Sequence, residues 1–325
     1  MSAAVCHQWA GIDGLQIEQL HIPLPQEDEV LVEIKATGLN TTDLLLISGR
    51  HQTNRDLALP YVPGIEGSGI VIQCGAKVTQ LKPGDRVTGS FPKGALADKA
   101  ITKANHLFRV PDNIGFIEAA ALPVSYFSAH LALHWNGRLE SGETLLVLGS
   151  SGGIGLSAVQ IGKAMGLNVI AGASNDTKLE FVKDKGADRT INYRTEHLKN
   201  RVMSLTDGKG VDACFDPIGG DLSLTALSCL DWGGRMLHLG FVGGIQQLPA
   251  NRLLVKNRAS IGCSARYFRL HQPNKYRESA EWILERVARG EILPSIGHCF
   301  SMADCKLAFE KLAAGAVLGK VVVTP

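Results

Sequence analysis

The stretch Leu145-Leu146-Val147-Leu148-Gly149-Ser150-Ser151-Gly152-Gly153-Ile154-Gly155 runs from four apolar residues into a glycine-rich turn, then into a helical segment containing Ala158, Val159, Ile161 and Ala164. Strand, glycine turn and helix in that order make a cradle for an anion. Glycines let backbone N–H groups close on a pyrophosphate at the positive end of a helix. Ser151, Gly152, Gly153 and Ile154 are the candidate contacts, and Gly155 permits close packing of the helix on the strand. Ser150 stands where the GxGxxG pattern has its first glycine, so the loop taken alone is also compatible with a plain tight turn.

Its surroundings decide between the two. Outward from the turn, strand-like runs at 144–148, 168–173, 189–192, 211–215, 234–239 and 259–263 alternate with helical stretches at 154–165, 178–185, 196–205 and 222–230. Six strands with helical crossovers predict an α/β fold with a doubly wound parallel sheet. Residues 1 to about 115 read differently. Short Val/Ile-containing runs, such as 30–36 and 69–74, are cut by turns at Pro63-Gly64 and Pro83-Gly84, which predicts a mostly β domain. Toward the end, helical segments at 276–289 and 303–313 precede a last strand at 320–323.

The 325 residues carry 33 Lys and Arg against 31 Asp and Glu, a net charge of +2. That balance argues against an electrostatic binder of nucleic acid or of a membrane surface. Apolar content of 45% with 20% charged residues supplies ordinary globular cores, and at about 150 residues per domain the length suggests two. The most apolar stretch, 117–135, is broken by Glu118, Pro123, Ser125, Ser128, His130 and His134. It falls short of the ~20 clean apolar residues that a bilayer span needs. The start lacks the basic residues and apolar core of a signal peptide. The seven cysteines (Cys6, Cys74, Cys214, Cys229, Cys263, Cys299, Cys305) are odd in number and never form a CxxC pair. Both features predict a reducing, cytoplasmic setting.

An NAD-binding fold places an acidic residue at the end of its second strand, on the ribose hydroxyls. Here that strand ends Gly172-Ala173-Ser174-Asn175, Lys178 follows, and Tyr193 with Arg194 closes the third strand. Small polar and cationic groups suit a 2′-phosphate, which a carboxylate would repel. The alternative reading makes Lys178 a solvated helix residue next to Asp176.

With these pieces, the segments Gly38-Leu39-Asn40-Thr41-Thr42-Asp43, Pro63-Gly64-Ile65-Glu66-Gly67-Ser68-Gly69, Lys82-Pro83-Gly84-Asp85-Arg86-Val87, Ala119-Ala120-Ala121-Leu122-Pro123-Val124-Ser125, Phe215-Asp216-Pro217-Ile218-Gly219-Gly220 and Gly319-Lys320-Val321-Val322-Val323 complete a pattern. The chain resembles the zinc-independent NADPH:quinone oxidoreductase branch of the medium-chain dehydrogenase/reductase superfamily over nearly its whole length. The resemblance implies a GroES-like, mostly β catalytic domain from both termini (1–121 and 265–325) around a Rossmann NADP-binding domain (122–264), with the active site in the cleft. It implies that Asn40 and Ser125 face the nicotinamide end, that Phe241 and Val242 approach the carboxamide, and that Cys263 and Ser264 cover the ring. Lys320 joins the cofactor contacts by the same resemblance, and a homodimer through the strand at 259–263 is implied too.

Zinc-dependent relatives carry a Cys and a His where this chain has Asn40 and Ile65. Neither an amide nor an isoleucine replaces a thiolate or an imidazole on zinc. The four-cysteine structural lobe is absent as well, since the segment after Val87 runs Thr88-Gly89-Ser90-Phe91-Pro92-Lys93. His130 and His134, four apart in a helical segment, are a rival metal signal, but the glutamate of an HExxH site is missing and packed or surface histidines are favoured.

The implied activity is reduction of quinones or α,β-unsaturated carbonyl compounds with NADPH. Two alternatives stay open: an enoyl-thioester (acyl-CoA) reductase, and an NADPH-binding protein with a structural or nucleic-acid-associated role. A quinone needs no obligatory side-chain acid, and His51 is a candidate proton donor set against a plain exposed loop histidine. The segments 48–54 and 93–99, expected near the acceptor, depart from the family pattern.

Overall fold

The computed structural model describes residues 1–92 and 94–325, so Lys93 of the altered 93–99 segment lies outside the described residues. The chain divides into two compact units, one of Met1–Val124, Ala280–Arg289 and Pro294–Pro325, the other of Ser125–Ser279 and Gly290–Leu293.

In the first unit β1 (Ser2–Cys6) and β2 (Leu15–Gln19) form an antiparallel pair. There follow β3 (Glu29–Leu39), α1 (Thr41–Ile47), β4 (Glu66–Cys74), β5 (Arg86–Ser90), β6 (Lys99–Lys103), β7 (Leu107–Arg109) and α2 (Phe116–Ala120). The second unit opens with α3 (Ser125–His130), which widens into a π-helical segment at Leu131–Asn136. Strand and helix then alternate through β8 (Thr144–Val147), α4 (Gly153–Ala164), β9 (Asn168–Ala173), α5 (Asp176–Asp184), β10 (Arg189–Asn192), α6 (Leu198–Leu205), β11 (Val211–Asp216), α7 (Gly220–Leu227) and β12 (Leu230–His238). There follow α8 (Ala250–Leu254), β13 (Ala259–Gly262), α9 (Ala265–His271) and α10 (Pro273–Ala288), which belongs to the first unit from Ala280 on, and the first unit ends with β14 (Ile296–Ser301), α11 (Cys305–Ala313) and β15 (Lys320–Thr324).

The sheet of the second unit has the order β10-β9-β8-β11-β12-β13 with every pair parallel. Its central strands are continuous apolar runs because helices cover both faces, leaving no solvent side to alternate toward. Leu146, Ile170, Ile191, Cys214 and Met236 from the strands close a core with Val202 of α6 and Leu227 of α7. The turn after β8 lies where the strand order reverses, between β8 and β11, the place where open α/β sheets take ligands. Strand β13 stands at one edge.

In the first unit a seven-stranded sheet runs β14-β15-β3-β4-β5-β7, with β6 also paired to β3. Val321 and Val323 of β15 join Leu39, Leu46 and Phe309 in its core, so the last strand completes a sheet begun by the third. The second unit reaches Ser279, beyond the boundary at 264 read from sequence. Packing explains the difference. Tyr276 lies edge-on to Phe127 at 6.1 Å, and Ser279 Oγ lies 2.9 Å from His130 Nδ1 and accepts from Trp135 Nε1 at 3.1 Å.

Candidate functional site

The glycine turn has a geometry that can cradle an anion. Gly149 has φ +57°, a left-handed conformation that glycine adopts at no steric cost. Gly152 caps the twelve-residue α4, and a Cβ there would meet nothing closer than Gly149 O at 3.8 Å, which leaves its backbone open to a ligand. A Cβ on Gly155 would lie 2.2 Å from Gly149 O, so the helix seats against the turn only with glycine there. Ser150, at the missing first glycine, is buried and bonds Gly172 O through N (3.0 Å) and Oγ (2.9 Å), tying the turn to β9. Ser151 is buried, while Gly153 and Ile154 are half-buried on the first turn of α4. Ser125 is buried at the start of α3, where its carbonyl accepts from Ser157 Oγ of α4 at 3.0 Å.

Beyond β9 the structure brings Ser174 and Lys178 together, Nζ to Oγ 3.4 Å. Asn175 starts α5 by accepting from Lys178 N at 2.9 Å, which places the lysine one turn into the helix. Asp176, the nearest carboxylate in sequence, accepts from Asn192 Nδ2 at 2.7 Å. Tyr193 lies along Gly172, where a Cβ would stand 3.3 Å from its ring, and burial raises its hydroxyl above the usual range.

On the far side of the same sheet, Phe241 and Val242 are exposed on the loop after β12, and Cys263 and Ser264 follow β13. Ser264 Oγ accepts from Tyr267 N at 3.3 Å and starts α9. Burial pushes the Cys263 thiol up to about 12, so it is no thiolate nucleophile at neutral pH.

In the first unit, Asn40 forms part of a buried polar cluster. Its Nδ2 donates to Glu66 Oε1 (2.8 Å) and Gly38 O (3.3 Å), and its Oδ1 accepts from Lys320 Nζ (2.7 Å). Lys320 donates in addition to Leu39 O (3.0 Å) and Glu66 Oε1 (2.5 Å). All three protons of the ammonium therefore have partners inside this unit, and Lys320, expected among the cofactor contacts, serves as a buried counter-ion. Glu66 Oε2 accepts from Val124 N at 2.7 Å, one residue before Ser125. Ile65 packs against the apolar core. His51 lies on the loop after α1 with Nδ1 2.8 Å from Thr53 Oγ1.

His130 and His134 share a face, stacked at 5.2 Å, with His130 Nδ1 on Ser279. Among the described residues no group of three or more His, Cys, Asp or Glu is placed to hold a metal ion. Sequence reasoning missed Glu66 and Lys320 as a pair, and it missed His238 at the end of β12. The available signal was a charged or polar residue at a strand end, Glu66 opening β4, Lys320 opening β15 and His238 closing β12.

Comparison with known proteins identifies the family. Residues 26–112 match the family described as the alcohol dehydrogenase GroES-like domain, and residues 153–285 match that described as zinc-binding dehydrogenase. A quinone oxidoreductase-like protein 2 homolog of Nematostella vectensis is 36% identical over 91% of this chain and 81% of its own length. The structure of a probable oxidoreductase from Mycobacterium abscessus is 32% identical, with a TM-score of 0.90 over 100% of this chain and 99% of that one. The quinone oxidoreductase of Escherichia coli, solved in complex with NADPH, is 27% identical with a TM-score of 0.92 over 100% of both chains.

Proposed function

This chain belongs to the quinone oxidoreductase-like branch of the medium-chain dehydrogenases/reductases, and we propose that it reduces quinones or α,β-unsaturated carbonyl compounds by hydride transfer from NADPH, without zinc. The observation that carries the reading is the glycine cradle with Ser174 and Lys178 beyond it: open backbone for a pyrophosphate, and a hydroxyl and an ammonium for a 2′-phosphate.

NADPH, when bound, supplies the hydride. The residues of the chain do the rest. Gly152, Gly153 and Ile154 at the start of α4 hold the pyrophosphate. Ser174, Lys178 and Tyr193 hold the adenosine phosphate, while Phe241, Val242, Cys263 and Ser264 shield the nicotinamide end from water. Asn40 is a fixed amide rather than a mobile one, since Glu66 and Lys320 hold both its ends. Ser125 stays with the nicotinamide end in this reading. The oxygen that gains charge collects its proton from water or from His51.

Asn40 and Ile65 at the two metal-ligand positions of the zinc-dependent relatives support zinc independence. Stoichiometric zinc by elemental analysis, or loss of turnover on chelation, would overturn it. Loss of NADPH absorbance across a panel of quinones, enones and enoyl thioesters separates the acceptor classes. Turnover confined to thioesters would replace the quinone reading, and tight NADPH binding with no turnover would favour a binding role. No helix among the described residues is long and apolar enough to cross a membrane. Seven free cysteines support a reducing, cytoplasmic setting.

A further inference from the structure

The loop after β12, residues 239–249, is held against the 217–220 turn by Gly243 N to Ile218 O (2.7 Å) and Gly220 N to Gly244 O (2.9 Å). Gln246 adds a side-chain tie, its Nε2 standing 2.8 Å from His238 Nδ1. His238 ends β12. Its Nε2 lies 3.0 Å from Ser260 Oγ on β13, and its carbonyl accepts from Cys263 N at 2.9 Å. One residue thus joins β12, β13 and the loop that carries Phe241 and Val242.

Beside the imidazole stands a buried anion. Asp216, the last residue of β11, is fully buried, and its Oδ1 accepts from Ile218 N and Gly219 N, both at 2.9 Å. Its Oδ2 lies 3.6 Å from His238 Nδ1. Burial works against the charged carboxylate, but His238, Ser223 and the two backbone N–H groups outweigh it and hold Asp216 below the usual carboxylate range. A proton placed on Nδ1 would face this buried carboxylate.

On the elements packed against β12, the ionisable groups are Asp212, Cys214 and Asp216 on β11, Asp221 on α7 and His134 on the π-helical segment. Strand β13 and the loop carry none, and Asp231 and Arg235 of β12 itself lie before its last three residues. Asp212 accepts from Thr144 N at the start of β8 (2.7 Å), and the Cys214 thiol is pushed well up by burial. Asp216 is the carboxylate within ion-pair distance of the imidazole among the described residues.

A neutral imidazole protonated at Nε2 donates to Ser260 and accepts from Gln246 at Nδ1. A second proton removes the acceptor that Gln246 uses and turns an N–H toward Asp216 Oδ2. We propose that His238 is a positioning residue that holds the 239–249 loop through Gln246 when neutral and releases it to pair with Asp216 when protonated, so that acidification loosens the loop and weakens the hold on NADPH. The second half rests on the reading above that this loop meets the cofactor.

Two measurements test it. In the protein without ligand, 15N NMR follows the His238 ring nitrogens and the Gln246 side-chain amide as the pH is lowered from neutral. The two sets of signals are expected to move with one midpoint. Calorimetry then measures NADP+ affinity of wild type, His238→Asn and Gln246→Ala over the same range. The amide introduced by His238→Asn keeps an acceptor toward Gln246 without titrating, and the titration of the 2′-phosphate itself is common to all three proteins. Loss of one net hydrogen bond predicts that wild type weakens about fivefold more than His238→Asn on acidification, whereas Gln246→Ala is weakened at every pH. A Gln246 amide that ignores the imidazole overturns the latch. An amide that follows it while Gln246→Ala binds NADP+ like wild type overturns the contact between loop and cofactor.

Discussion

Lys320 and Glu66 form an ion pair in the interior of the first unit, Nζ to Oε1 2.5 Å, with side chains 4% and 0% exposed. The pair joins the first residue of β15 to the first residue of β4, and Asn40 bonds both. Removing one partner strands the other charge out of water, which costs about 3–5 kcal/mol, whereas removing both together costs far less. Lys320→Met is therefore expected to lower stability by that amount, and the double variant with Glu66→Gln to recover most of it. Urea denaturation of the single and double variants measures the coupling, and strictly additive losses would count against the pair.

Asp43 makes a pH prediction with a definite sign. It is fully buried, accepting from Asn40 N at 2.9 Å and from Gly64 N and Ile65 N at 3.1 Å. Burial, with repulsion from Glu66, raises its carboxyl from 3.8 to about 6 in spite of those bonds and of Lys320. The folded state then holds the proton more tightly than the unfolded chain, so this contribution to stability is complete below about pH 4 and is lost as the pH rises toward 6. Its size is on the order of 3 kcal/mol. Carboxyls held low, such as Asp188 and Asp216, act in the opposite sense, so the quantity to measure is the difference between wild type and Asp43→Asn. That difference should turn against wild type between pH 4 and 6. A flat difference, or an Asp43 13Cγ titration at the ordinary carboxylate value, would remove the argument.

Two glycines of one turn should respond differently to the same methyl group. Gly155→Ala puts a Cβ 2.2 Å from a backbone oxygen, which forces the turn to move and costs stability of a few kcal/mol. Gly152→Ala has room, so its melting temperature should stay within a few degrees of wild type while NADPH binding weakens tenfold or more. Thermal melts beside calorimetric titrations read both effects. A Gly152→Ala protein that binds NADPH normally would mean that the pyrophosphate lies elsewhere.

The six parallel strands were legible because burial on both faces turns each into an apolar run that glycine or polar residues punctuate. Where that punctuation falls inside a strand, the reading slips. β12 begins at Leu230, four residues before the run at 234–239, because Asp231, Trp232 and Gly233 mask its start. The placement of residues 265–279 with the second unit was not legible, since helical periodicity shows that a face is buried but not what buries it. Likewise Lys320 and Glu66 are 254 positions apart, and no local pattern announces their pairing. His130 and His134 do share a face, as their spacing of four suggests, although the segment between them is π-helical, which spacing does not disclose.

A homodimer is expected through β13. This strand pairs with β12 on one side and stands at the sheet edge on the other, with Ser260 and Gly262 exposed. An edge strand carries unpaired N–H and C=O groups that a twofold-related copy satisfies. Light scattering at micromolar protein should give twice the chain mass, and Gly262→Pro, which removes an outward-facing donor of the edge and leaves the inward donor of Cys263 on His238 O, should shift it toward monomer. A monomeric wild type rules the assembly out.

The final expectation is a preference for NADPH over NADH. Ser174 and Lys178 converge at 3.4 Å beyond β9, the strand whose end would carry a carboxylate in an NAD-binding fold. Asp176, the carboxylate closest by, is engaged with Asn192 Nδ2 at 2.7 Å, which ties it to the end of β10 instead of leaving it to a ribose. A charge-assisted contact to a 2′-phosphate is worth ~1.5–3 kcal/mol, so one or two such contacts give on the order of ten- to a thousand-fold discrimination. Lys178→Ala should erode most of it by weakening NADPH and leaving NADH nearly unchanged, because NADH never used the contact. Rising salt should have the same selective effect, since screening acts on the ammonium–phosphate pair and hardly on the rest of the nucleotide. Equal dissociation constants for the two cofactors in wild type would overturn the assignment, and a Lys178→Ala loss shared equally by both would show the lysine to be structural.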